Sequence, residues 1–125
     1  IFCLVTKQTI FLYTPVVIWC GLIFVLSNQP TISTVDSYAI DFALKKLAHF
    51  IEYFILGVLV YRATKNIWIS ILFCITYAIS DEFHQSFIPG REPRGRDVII
   101  DSLGSITAVI TWNKLSQKIK LKLKK

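Results

Sequence analysis

The stretch DEFHQSFIPGREPRGRDVIID, Asp81 to Asp101, decides how this chain is read. It crowds Asp81, Glu82, His84, Arg91, Arg94, Arg96, Asp97 and Asp101 between two long apolar runs. Charge at the end of a membrane helix is costly, and it is kept there mostly for function. A second cluster, KKLAHFIEY from Lys45 to Tyr53, opens an earlier apolar segment. Function is expected where these two clusters meet.

Outside the clusters the composition is that of a membrane protein. The 125 residues are 54% hydrophobic and only 18% charged, against about 25% charged for an ordinary soluble domain. Nine Phe and three Trp sit in blocks with Ile, Leu and Val rather than in alternation, which favours membrane helices over an amphipathic soluble bundle. The length predicts a single domain over residues 1–125. Ile1 opens the sequence, which leaves the true N-terminus open. Ile10 to Ser27 is free of charge and is followed by no small-x-small cleavage site, so a retained helix is expected rather than a signal peptide. Cys3, Cys20 and Cys74 are far apart with no CxxC spacing, and predict small buried side chains rather than zinc or redox chemistry.

The fold class predicted is all-α, an integral membrane bundle of four transmembrane helices. They run roughly from Thr9 to Ser27, Leu44 to Tyr61, Ile67 to Gln85 and Asp97 to Trp112. Asn28-Gln29-Pro30 ends the first, Arg62 to Asn66 tightly joins the second and third, and Pro89-Gly90 and Pro93 shape a loop before the fourth. Helices three and four have short clean apolar stretches, and reach spanning length only when their polar turns are included. Residues 113–125 form a basic tail whose six lysines suit anionic lipid headgroups. No nucleic-acid readout module is present, and nucleic acid is not an expected partner.

Orientation follows lysine and arginine. With the N-terminus inside, Lys7, Arg62, Lys65 and the six tail lysines face the cytoplasm, against Lys45, Lys46, Arg91, Arg94 and Arg96 outside. Both termini are therefore expected to be cytoplasmic in a multi-pass cell-membrane protein. Four antiparallel spans then gather the polar clusters at one membrane face, whichever way round the protein sits.

Lys46, His49, Glu52 and Tyr53 fall on one face of helix two. Asp97 and Asp101 are one turn apart near the start of helix four; Asp97 also suits a first-turn acid, whereas Asp101 lies deeper. Gly104 allows close helix approach. Asp81 shares a surface with His84 or Gln85, while Glu82 points about 100° around the helix, where it would cap or pair with the arginine loop. Three chemistries stay open. A divalent metal would activate water for hydrolysis; a histidine would act as base without a metal; or the acids and arginines would hold a zwitterionic headgroup or peptide terminus without reaction. The metal and any other cofactor are left unassigned. If the site is catalytic, His49, Glu52, Asp81 and Asp101 handle protons or a metal. The binding set is Lys46, Tyr53, Glu82, His84, Gln85, Arg91, Arg96 and Asp97, with Arg91 and Arg96 on the anion.

KKLAHFIEYFILGVL and DEFHQSFIPGREPRGRDVIIDSLG together resemble the VanZ-like family of small bacterial membrane proteins. The matching positions are Lys46, His49, Glu52 and Tyr53; Asp81, Glu82, Gln85, Pro89 and Arg91; and Asp97, Asp101 and Gly104. They cover a motif core of residues 44–108. Members often carry Gly and Ser after the motif arginine, where this chain has Glu92-Pro93-Arg94. The resemblance implies a four-helix membrane protein of the bacterial cell envelope. The family's founder is associated with teicoplanin resistance, and no settled reaction attaches to the family. The function expected is an outward-facing polar site that binds or modifies an anionic lipid, a lipid-linked cell-wall precursor or a glycopeptide-type amphiphile. A non-catalytic membrane scaffold and a metal-dependent membrane hydrolase are the alternatives. Transport would require a homo-oligomer, a state the sequence leaves open.

Overall fold

The computed structural model describes residues 2–28 and 36–123, with only the backbone for residues 2–6. Among the described residues there are four helices: α1 (Phe2–Ser27), α2 (Tyr38–Thr64), α3 (Ile67–Gln85) and α4 (Gly95–Leu123). No strand occurs among the described residues. The predicted Gln29-Pro30 break lies outside them, as does the Cys3 side chain.

Helix α3 has the bounds expected, whereas α1, α2 and α4 are longer. Helix α2 starts at Tyr38 because Asp41 belongs to its first turn, where the helix dipole favours an acid, and pairs with Lys45 one turn on at 2.5 Å. Helix α4 runs through most of the basic tail, to Leu123. No Pro or Gly follows Gly104, and the Lys, Leu, Gln and Ile there are competent helix formers. Its extension is also tied to the bundle: the Tyr61 hydroxyl donates to Asn113 Oδ1 at 2.7 Å. Between α2 and α3, Lys65 takes the left-handed conformation (φ 56°) that ends a helix, and its N–H returns to the Tyr61 carbonyl. Asn66 then caps α3, accepting from the Ile69 N–H at 3.1 Å.

Side-chain contacts set the helix directions. Lys46 meets Asp97 and Tyr61 meets Asn113, so α2 and α4 run parallel. Trp19 donates to the Glu52 carbonyl and Arg62 lies over Phe11, so α1 runs against α2. The ends of α1 and α3 meet through Ser27 and Asp81, and Tyr77 donates to the Cys20 carbonyl. The most extensive packing is α2 on α4, followed by α3 on α4, while α1 is held more loosely.

Two glycines explain the α2–α4 contact. A Cβ on Gly104 would stand 2.5 Å from the Phe50 carbonyl oxygen, and one on Gly57 would stand 2.7 Å from the Ser105 carbonyl oxygen. Each helix therefore presses backbone into a notch on the other.

The interior is polar for so apolar a chain. Ser27, Ser70, Asp81, Glu82, Gln85, Asp101 and Ser105 are buried, whereas Ile18, Trp68, Leu72, Phe83 and Leu103 are exposed. Among the described residues, Lys7–Ser27 is the one helical segment apolar enough to cross a membrane when judged alone, at mean hydropathy 2.2. Polar residues, many of them turned inward, dilute the other three helices. Length does not exclude them: α2, α3 and α4 extend roughly 40, 28 and 44 Å, against a hydrocarbon core of about 30 Å.

Cys20 and Cys74 are free thiols, half-buried and buried. A shallow apolar groove of about 410 Å³, along Lys7, Ile10, Phe11, Thr14 and Pro15, lies at the end of the bundle away from the acidic residues.

Candidate functional site

At one end of the bundle the last turn of α1, the first half of α2, the last turns of α3 and the start of α4 come together. Lys46 forms an ion pair with Asp97, joining α2 to α4. One turn deeper, His49 Nδ1 lies 3.7 Å from Asp101 Oδ1 and 3.9 Å from Glu52 Oε2, too long for hydrogen bonds but close enough to tighten onto one. Asp101 is 1% exposed, so an acid stands sealed behind an imidazole.

Asp81 anchors the other side. Its Oδ2 accepts from the Ser27 hydroxyl at 2.9 Å, from Gln85 Nε2 at 3.0 Å and from the Tyr53 hydroxyl at 3.4 Å. Donors from α1, α2 and α3 thus converge on one oxygen. Ser27 was not among the residues singled out from the sequence, where it reads as the end of an apolar helix. Its one available signal is spacing, since Ile23 and Ser27 are a turn apart and both are buried. Replacing Ser27 with alanine is expected to destabilise the bundle by about 1–2 kcal/mol, the cost of removing a donor from a buried carboxylate. Thermal unfolding in mild detergent measures this, and an unchanged midpoint would contradict the anchoring role.

Glu82 points away from Asp81, as its spacing requires, and its Oε1 accepts the Arg94 backbone N–H at 2.5 Å. That bond fastens the end of the arginine loop to α3. Within the loop, Gly90 takes a φ of 83°, a conformation glycine adopts without strain. Arg94 turns its guanidinium outward to Glu92 at 3.0 Å, and this hydrogen bond raises its already high pKa. Glu92, where the sequence departs from the family pattern, thus engages one of the three loop arginines.

Arg91 comes inward and acts electrostatically on both His49 and Glu52. Arg96 is exposed and lies over the Phe42 ring at 5.6 Å, a ring it shares with Lys46 at 5.4 Å. It stands on the flank of the cluster. His84 packs against Phe24 of α1, with ring centroids 4.3 Å apart.

Among the described residues, six buried side-chain atoms make no hydrogen bond: His49 Nδ1, Asp81 Oδ1, His84 Nε2, Arg91 Nε, Asp97 Oδ1 and Asp101 Oδ1. Asp97 Oδ1 has the Lys46 ammonium as a charge partner. Buried polar groups are normally satisfied, and leaving one unmade costs about 1–3 kcal/mol. Most of these atoms belong to one electrostatic neighbourhood. Lys46, Asp81, Arg91 and Asp97 act on His49, and Asp81, Asp97, Glu82 and Lys46 act on Asp101.

Chemically, this arrangement offers carboxylate acceptors, an inward arginine and an imidazole backed by an acid. Among the described residues, no three His, Cys, Asp or Glu side chains are grouped to hold a metal ion.

The family model described as VanZ/LLP1 matches residues 8–116 of this chain. The match spans α2 and α3 whole, most of α1 and α4, and every site residue named above. Neither a curated protein nor a solved structure matches the chain.

Proposed function

This chain belongs to the VanZ/LLP1 family, and on that premise we propose that it is a four-span protein of the bacterial cell membrane that binds the polar headgroup of an anionic envelope amphiphile. The ligand class is a phospholipid, a lipid-linked cell-wall precursor or a glycopeptide-type amphiphile. The observation that carries the reading is the set of buried polar atoms without hydrogen bonds at one end of the bundle. A protein whose polar network served only to hold helices together gains by satisfying such atoms; a binding site keeps them for its ligand.

Exposed large apolar side chains on all four helices, such as Ile18, Ile51, Leu72 and Leu103, support the four-span reading. With both termini in the cytoplasm, the bias of lysine and arginine puts the cluster on the outer face. Arg91 is the anion's first partner, because it is the loop arginine that points inward while Arg94 is engaged by Glu92. Lys46 and Arg96, both over Phe42, line the approach.

Replacing Arg91 with glutamine is expected to lower retention of phosphatidylglycerol by the detergent-purified protein about tenfold or more, the weight of one charge-assisted hydrogen bond. Native mass spectrometry against a titration of the lipid reads this directly. Equal retention by wild type and variant would remove Arg91 from the site.

A second reading has one observation in its favour. The buried Asp101 behind His49 is the arrangement that orients an imidazole as a base. Proton transfer on the bound ligand would follow from it, with no metal required.

A further inference from the structure

Resting on the anion-binding reading above, we infer that Asp81 reads the headgroup: its second carboxylate oxygen accepts a hydrogen bond from a hydroxyl or ammonium group that the bound phosphodiester lipid carries beyond its phosphate. The two oxygens of this side chain are treated very differently. Oδ2 receives donors from Ser27, Tyr53 and Gln85, one from each of three helices. Oδ1 receives none, although Asp81 is only 3% exposed. Three donors on one oxygen stop the carboxylate from rotating, so Oδ1 is held as a fixed acceptor.

Its surroundings limit what that acceptor can take. Asp101 Oδ1 also lacks a hydrogen bond, and Asp81, Asp97 and Glu82 all act on Asp101 as like charges. A bare anion placed there would add to charge already crowded together. On the basic side, Arg91 Nε is a buried donor without an acceptor. The two halves of the site therefore ask for opposite things, an anion beside Arg91 and a hydrogen-bond donor beside Asp81. One chemical class supplies both: a phosphodiester whose far substituent is a polyol, a sugar or an amino alcohol. The acidic side chains of the cluster, Glu52, Asp81, Glu82, Asp97 and Asp101, outnumber Lys46 and Arg91 and fit such a donor-rich substituent.

Three lipids with identical acyl chains separate the parts of this assignment. Phosphatidylglycerol carries a diol, phosphatidylethanolamine an ammonium, and phosphatidylmethanol the same phosphodiester with no donor. Titrated against the full chain in mild detergent and read by native mass spectrometry, phosphatidylglycerol or phosphatidylethanolamine is expected to bind about tenfold or more tightly than phosphatidylmethanol. Which of the two is preferred tells hydroxyl from ammonium. In the Asp81→Asn variant the three donors hold the amide oxygen in the place of Oδ2, so an NH₂ donor replaces the acceptor. The preference over phosphatidylmethanol is then expected to vanish while phosphatidylmethanol itself still binds. Equal binding of all three lipids by the wild type overturns the role of Asp81 and leaves the anion site standing. Retention of none overturns both. The wild-type comparison decides the matter even if Asp81→Asn does not fold.

Discussion

Replacing Gly104 with valine is expected to unfold the bundle or destabilise it by at least about 3 kcal/mol, the upper range for forcing atoms into a packed core. The atom in the way is the backbone carbonyl oxygen of Phe50, 2.5 Å from the position of the new Cβ, with the carbonyl carbon at 3.3 Å behind it. A flexible side chain could swing aside; a carbonyl inside α2 cannot move unless the two helices separate. Gly57 blocks that escape, because it makes the reciprocal approach to Ser105. Separation would also draw Lys46 from Asp97 and His49 from Asp101, so any folded remnant should lose lipid retention as well. Gly21→Ala is the matched control, since nothing lies within 4 Å of its Cβ and a helix interior favours alanine by roughly 0.5–1 kcal/mol. Thermal unfolding of the two variants side by side tests the packing, and a Gly104→Val protein as stable as wild type would refute it.

The second large effect separates a binding site from a scaffold. Asp101→Asn is expected to leave stability unchanged or raise it by about 1 kcal/mol, while lowering phosphatidylglycerol retention about tenfold or more. Asp101 is almost wholly buried, its Oδ1 makes no hydrogen bond, and Asp81, Asp97 and Glu82 surround it with like charge. Lys46 is the counter-charge acting on it, and Lys46 is already paired with Asp97. An amide keeps the shape of the side chain and cannot take part in that repulsion. If the polar network existed to hold helices together, the same change would lower the unfolding temperature. A variant less stable than wild type yet fully able to retain lipid would therefore favour the scaffold reading.

Much of the site was legible because helical spacing is rigid. Lys46, His49 and Glu52 must share a face, as must Asp97 and Asp101, and four antiparallel helices must bring those faces to one end. The separation of Glu82 from Asp81 follows from the same geometry, and the Arg94 N–H is its partner. Partners that depend on how helices rotate against each other were not legible. Ser27 became the strongest donor to Asp81, Arg96 settled over Phe42 and His84 packed on Phe24. Nothing local in those sequences states which neighbour each will meet.

By itself, the sequence determined the all-α character, the position of the α3 helix, the polar end of the bundle and the family pattern, since periodicity and composition are properties of a single chain. Tertiary structure alone decided that Gly57 and Gly104 interlock, that Asp81 has one anchored and one unmatched oxygen, and that Arg91 rather than Arg94 turns inward. The reason is physical. A hydrogen bond or a close backbone approach is won or lost within about half an ångström, a precision set by the packing of whole helices and by no single stretch of residues.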